Sequence, residues 1–255
     1  MTILTNWSYP IYGTTMAGAF LFCGLLFLYH FPRRLLTLSD ALNFCLIVIL
    51  VTLVGSKFFS WISFTVIKTG HPIGHSSLPA LVSTLLLIWG YCWVRSLPFT
   101  QILDILIPYG LLALAIQRGF GCYNAGCCHG SPTDLFWGVM PPPDSPAAKL
   151  YLGHKVHPTQ ILYASSALIG ALLTWRISYI YAHKNSGLAS AFGIAWFALF
   201  KLLIGPLRGD VARSNYWWLP IDLWPALGLL LLAIFFMIHR LYHPIPYNYE
   251  QTKMN

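Results

Sequence analysis

With 57% of its 255 residues hydrophobic and only 9% charged, the chain has too few charges to cover a water-facing surface, since an average soluble domain is about a quarter charged. A formal charge of +8 would suggest nucleic acid in a soluble protein. Here the basic residues lie in short loops and at the ends of apolar runs, so the expected partner is acidic membrane lipid, and no nucleic acid.

A helix needs roughly 20 apolar residues to cross the hydrocarbon core. Seven stretches approach this, at residues 12–29, 41–64, 78–94, 102–116, 159–181, 188–207 and 219–239, the third and fourth being short for a full crossing. Helices are expected because the bilayer offers no water to open backbone groups, and the alternating pattern of a barrel is absent. The expectation is an all-α integral membrane protein, a bundle of about seven transmembrane helices with a long ordered outer-side loop, forming a single transmembrane domain over residues 1–255. No basic segment precedes an apolar core and small-residue cleavage site near Met1, so the first span is expected to stay.

Arg33, Arg34, Arg95, Arg176, Lys184 and Arg240 fall on one face, which the positive-inside rule makes cytoplasmic; the N-terminus is then outside and the C-terminus inside. Lys57, Lys68, Arg118, Lys149, Lys155, Lys201, Arg208 and Arg213 belong to the other face. This outer excess reads as a site, because Lys57, Arg118 and Lys201 lie at or within apolar spans, where a charge is expensive. Snorkelling to headgroups is the competing reading.

The spans leave a segment of about 118–158 on the outer side, too rich in Gly and Pro for a regular helix. Its Phe136, Trp137 and Tyr151 argue for order at the membrane interface. It opens with Arg118-Gly-Phe-Gly-Cys-Tyr-Asn-Ala-Gly-Cys-Cys-His-Gly130, whose glycines let backbone N–H groups approach a ligand, as in anion-binding nests. Cys127, Cys128 and His129 lack the usual metal-ligand spacing and a second cysteine pair, so they are expected to be structural and metal-free. A disulfide from Cys122 to Cys127 or Cys128 is open to this segment if its face is oxidising. Cys23, Cys45 and Cys92, inside apolar spans, read as packing.

Three further groups bear chemistry. His75 precedes the third span and His157 opens the fifth, and a histidine at the membrane boundary is either a base near neutral pH or a headgroup contact. Arg208 closes the sixth span in Leu207-Arg-Gly-Asp210, where its planar fork of donors suits a phosphate, although a pair with Asp210 or plain snorkelling is the simpler reading of the arginine taken alone. Tyr12-Gly13 stands near the start of the first span as an aromatic-belt residue.

Taken together and in order, these pieces resemble the prolipoprotein diacylglyceryl transferase family. The Tyr-Gly of the family's first helix is matched by Tyr12-Gly13, its Gly-Gly-Arg by Gly55-Ser56-Lys57, its His-Gly-Gly by His75-Ser76-Ser77, and the Asp of its fourth helix by Asp104. The family signature Gly-Cys-(x)3-Gly-Cys-Cys-(Tyr/His)-Gly is matched over 121–130, its His-Pro-(Ser/Thr)-Gln by 157–160, and the arginine ending its sixth helix by Arg208. Arg118 stands one position further from the Gly-Cys pair than the family's arginine, a rotation of about 100° on a regular helix.

The resemblance implies an enzyme of the bacterial cytoplasmic (inner) membrane that acts in lipoprotein biogenesis without a cofactor. It would move a diacylglyceryl group from phosphatidylglycerol to the thiol of a lipobox cysteine in an exported prolipoprotein, releasing glycerol phosphate. His75, Arg118 and Arg208 become the catalytic residues, and Tyr12, Lys57, Asn124, Gly130, His157 and Gln160 the substrate-binding ones, all toward the outer face. The alternatives are a non-catalytic lipid-binding or assembly paralogue, a related transferase with another thiol-bearing acceptor, or a redox or metal protein built on the cysteines.

Overall fold

The computed structural model describes residues 8–33, 35–51, 77–143, 145–181, 184–209, 215–216, 219–220 and 223–246. The chain forms α1 (Ser8–His30), α2 (Leu38–Val51), α3 (Ser77–Val94) and α4 (Phe99–Ile116), which runs through a π-helical turn, Gln117–Cys122, into α5 (Tyr123–Ala125). Then come α6 (Pro146–Leu150), α7 (Thr159–Tyr181), α8 (Leu188–Ile204) with a closing 3-10 turn at Gly205–Leu207, and α9 (Trp224–Tyr242). Before α9, Asn215–Tyr216 and Leu219–Pro220 pair as a two-residue antiparallel hairpin.

Among the described residues five helices are long and apolar enough to cross a membrane, and two shorter apolar ones, Leu38–Val51 and Ala80–Val94, fall on the first part of the second expected span and on the third; residues 52–64 of the second lie outside the described residues. The outward surface shows the same solvent. Leu172, Leu232 and Phe235 are 56%, 68% and 69% exposed, while Gln101, Asp104, Ser190 and Lys201 are buried. Apolar faces outward and polar groups inward are what hydrocarbon surroundings require. The protein is an all-α membrane protein.

Two boundaries move. Glycines 119 and 121 do not end the fourth span; the apolar helical run continues from Phe99 to Ala125, 27 residues, so the irregular segment starts at Gly126 rather than at Arg118. A Cβ on Gly121 would make only ordinary contact, 3.4 Å, with Thr15 of α1, so the helix continues here despite the propensity that glycine costs. The last helix begins at Trp224, not at Leu219, because 219–220 pairs in the hairpin and Pro225 occupies the first turn, where it displaces no hydrogen bond.

α4 is the hub, packing on α1, α3, α7 and α8, while α8 also packs on α7 and α9. Small residues permit the close approach. A Cβ on Gly193 would lie 2.6 Å from Ile107 of α4 and 2.9 Å from Thr174 of α7, and Gly170 faces the indole of Trp196, whose Nε1 donates to the Ser166 carbonyl at 2.8 Å.

The register of α4 and α8 is set at one end by Asp104. Its buried carboxylate accepts the Gly187 amide at 2.6 Å and the Ser190 amide at 2.7 Å, satisfying the first turn of α8. The starts of α4 and α8 therefore share one end of the bundle, and their ends, with Arg118 and Arg208, share the other. At the first end α2 is opened by a capping box in which Thr37 and Asp40 exchange backbone bonds; Asp40 also accepts from Tyr91 at 2.8 Å and pairs with Arg95 at 3.1 Å.

Candidate active site at the Arg118 end of the bundle

The π turn that carries Arg118 holds six residues, Gln117–Cys122. Such a turn is how a helix absorbs one extra residue without breaking. The one-residue offset of Arg118 noted above falls inside it. The turn buries Arg118, leaving it 7% exposed at the inner wall rather than on the lipid surface.

Arg118 borders a half-open cavity of about 260 Å³ lined by α1, α2, α3, α4 and α8, with apolar walls that include Ala19, Cys23, Phe44 and Leu103. Tyr12 and Gln117 join Arg118 among the lining residues at the π-turn end, while Thr84 and Tyr109 are polar lining residues elsewhere. The guanidinium lies over the Tyr163 ring at 5.4 Å, donates from Nη1 to Cys128 Sγ at 2.7 Å, and keeps a buried Nε with no hydrogen-bond partner among the described residues.

The irregular segment 126–158 packs across this end. Its turns are local: Gly126 adopts φ +64°, and Ser145 caps α6 by accepting the Ala148 amide at 3.1 Å. Its docking depends on glycine at two points. Gly130 lies so close to His157 that a Cβ would overlap the His157 carbonyl, and a Cβ on Gly209 would lie 2.7 Å from the Gly130 oxygen. This closeness lets Gly130 and Arg208 form an antiparallel bridge, with Gly209 N–H donating to His129 O at 3.0 Å and Ser131 N–H to Leu207 O at 2.9 Å. The Tyr151 hydroxyl adds a bond to Gly209 O at 3.0 Å. Arg208 is thus held by its backbone at the mouth of the bundle.

His157 and Gln160 tie this segment to α7. His157 Nδ1 accepts from Trp137 Nε1 at 3.0 Å, Gln160 Nε2 donates to Cys127 O at 2.9 Å, and Thr159 Oγ1 donates to Cys128 O at 2.6 Å. Trp137 and Tyr151, read from sequence as signs of order, are two of the fasteners. The cysteines are free thiols. The Cys128 thiol is held well below its ordinary value by hydrogen bonds from Cys122 and Cys127 and by the guanidiniums of Arg118 and Arg208, against burial. The Arg208 charge therefore acts on the sulfur that Arg118 touches.

Of the residues singled out from sequence, Tyr12 and Arg118 line the cavity, and Arg208 stands at the same end. Gly130, His157 and Gln160 hold the segment in place. Asn124 is exposed and spends its amide on the Phe120 carbonyl at 2.7 Å, away from the cavity. His75 and Lys57 lie outside the described residues. Sequence reading passed over Gln117, a polar side chain inside an apolar run that lines the cavity and donates to Cys122 Sγ at 3.3 Å. Its position beside Arg118 was the available signal.

A family model described as prolipoprotein diacylglyceryl transferase matches residues 1–239. Among curated proteins the chain is 30% identical over 161 residues to the phosphatidylglycerol--prolipoprotein diacylglyceryl transferase of Clostridium tetani, covering 61% of this chain and 60% of that one. It is 29% identical to the second such protein of Clostridium perfringens, covering 45% and 42%, and 30% identical to that of Thermosynechococcus vestitus, covering 46% and 47%. The matched chain thus spans about half the length of these curated relatives.

Proposed function

The chain belongs to the prolipoprotein diacylglyceryl transferase family, and from that premise we propose that it transfers the diacylglyceryl group of phosphatidylglycerol to the thiol of an exported prolipoprotein cysteine, at the outer face of a bacterial inner membrane. The observation that carries this reading is the pairing of an apolar cavity with a buried arginine, Arg118, in its lining: a phospholipid has the same division, anionic at the head and apolar in the chains. The cavity walls would take acyl chains, while Arg118 and Arg208 face the phosphate.

In the reaction the acceptor sulfur attacks the glyceryl carbon next to the phosphate. The new S–C bond forms as the C–O bond to phosphate breaks, and glycerol phosphate departs with the bonding pair. Negative charge concentrates on the leaving phosphate, and preorganised cations there contribute most to the rate. Arg118 has a buried Nε still unspent, and Arg208 adds a planar fork at the mouth. Tyr163 fixes the Arg118 plane by its ring face. The thiol proton is assigned to His75, by resemblance, as the base near neutral pH.

The test is release of glycerol phosphate from phosphatidylglycerol by the purified chain, with a lipobox peptide as acceptor, alongside complementation of a strain depleted of its own transferase. Release that depends on the peptide thiol supports the assignment. Saturable phosphatidylglycerol binding with no release, under conditions where an authentic transferase works, overturns it in favour of a lipid-binding paralogue.

A further inference from the structure

Three thiols converge where the helix of Arg118 ends. The sulfurs of Cys122, Cys127 and Cys128 all lie within 4.8 Å of one another, and Cys122 and Cys128 are 3.8 Å apart. The convergence is invisible in the spacing, because Cys127 and Cys128 are neighbours and ordinarily point apart. It arises from two left-handed residues in close succession, Gly126 at φ +64° and Cys128 at φ +58°, which fold the chain back toward the π turn. The folded turn is then held from α7 through the Thr159 and Gln160 bonds to its carbonyls.

We propose that Cys122, Cys127 and Cys128 form a three-thiolate site for one thiophilic d10 cation, of the zinc(II) or copper(I) class. The geometry suits it: metal–sulfur bonds of about 2.3 Å place sulfurs about 3.8 Å apart in a tetrahedron and about 4.0 Å apart in a trigonal plane. The charges suit it also. Three thiolates, zinc(II) and the Arg118 guanidinium sum to zero, and with copper(I) one negative charge is left over, so the buried arginine offsets the anionic cluster that its Nη1 touches at 2.7 Å and favours the divalent ion. Gln117 Nε2 supplies a second N–H, to Cys122 at 3.3 Å, and donors of this kind orient metal ligands. His129, the neighbouring histidine, is directed elsewhere, with Nδ1 at 3.2 Å from the Gly130 carbonyl and its ring edge-on to Tyr151. Three protein sulfurs and one open position describe a site for trigonal copper(I), or for zinc(II) completed by an outside ligand.

The experiment uses the full chain in detergent, fully reduced and without a histidine tag, titrated with cadmium(II). One cadmium per chain is expected after desalting, with thiolate-to-cadmium ultraviolet absorption of three sulfur ligands. Alkylation by iodoacetamide, mapped by mass spectrometry, should be blocked at Cys122, Cys127 and Cys128 together and restored by chelator, a measurement that needs no variant to fold. Cys127→Ser should abolish the three-sulfur absorption, Gln117→Leu should weaken binding by about ten- to a hundredfold, and zinc(II) or copper(I) should displace cadmium. Less than one bound cadmium in the reduced wild-type chain, binding unchanged in Cys127→Ser, protection of fewer than three thiols, or displacement by neither metal each overturns the site.

Discussion

The carbonyl of His157 occupies the space that a side chain on residue 130 would need, and this contact sets how closely the segment lies against Arg208. Gly130→Ala should therefore open the Gly130–Arg208 bridge. Overpacking in a close-packed site costs about 1–3 kcal/mol and more where backbone is the obstacle. A lowered melting temperature in detergent, with faster proteolysis confined to 126–158, is the expected result. Wild-type proteolysis would show that the bridge does not hold the segment.

Arg208→Lys separates two roles. A bidentate phosphate contact needs the guanidinium fork, whereas an anchor in the headgroup layer needs only a positive charge. Both Arg208→Lys and Arg208→Ala should slow glycerol phosphate release by about a hundredfold or more, the consequence of losing about 2.7–4 kcal/mol of transition-state stabilisation. Insertion and melting should be unchanged. A lysine variant with near-normal release makes Arg208 an anchor.

Ala19 is 2% exposed and lines the cavity, so Ala19→Trp puts an indole where acyl chain is proposed to lie. Displacing two methylenes removes about 1.6 kcal/mol of apolar burial, more than tenfold in affinity. Phosphatidylglycerol binding should weaken by that factor while the fold persists. Undiminished binding would place the lipid elsewhere.

Asp104→Ala leaves the Gly187 and Ser190 amides without their acceptor at the start of α8. Each unsatisfied buried donor costs about 1–3 kcal/mol. Asp104→Asn, which keeps one acceptor oxygen, should cost about half as much. Equal melting of the two variants would mean that the carboxylate charge, not the bond count, is what stabilises α8.

Within the described residues the apolar stretches were legible because hydrocarbon imposes length and composition on anything that crosses it, and the ends at Thr159–Tyr181 and Leu188–Leu207 were readable to the residue. The continuation through Arg118 to Ala125 was not, since Gly119 and Gly121 signal a break by propensity and nothing local announces that they sit in a π turn. Tyr12, Arg118 and Arg208 could be selected from the membrane cost of charge and from resemblance. That Gln160 and Thr159 would spend their side chains on the carbonyls of Cys127 and Cys128 could not be read, because those bonds join positions more than thirty apart. The three-thiol cluster was hidden for the same reason: it depends on left-handed φ angles, and Cys128 carries no glycine to announce one.

Two kinds of bond fasten 126–158: those to Thr159 and Gln160 of α7, and those that end on Leu207 and Gly209, with Ser131 reaching a carbonyl 76 positions further along the chain. The first kind can form as soon as α7 is made, whereas the second must wait until the ribosome has delivered all of α8. During synthesis the segment can therefore settle on α7 first and meet Arg208 only later. A chain stopped after α7 would have the first half of the dock and no Arg208. Closing the Arg208 side of the site is therefore gated by the sixth crossing.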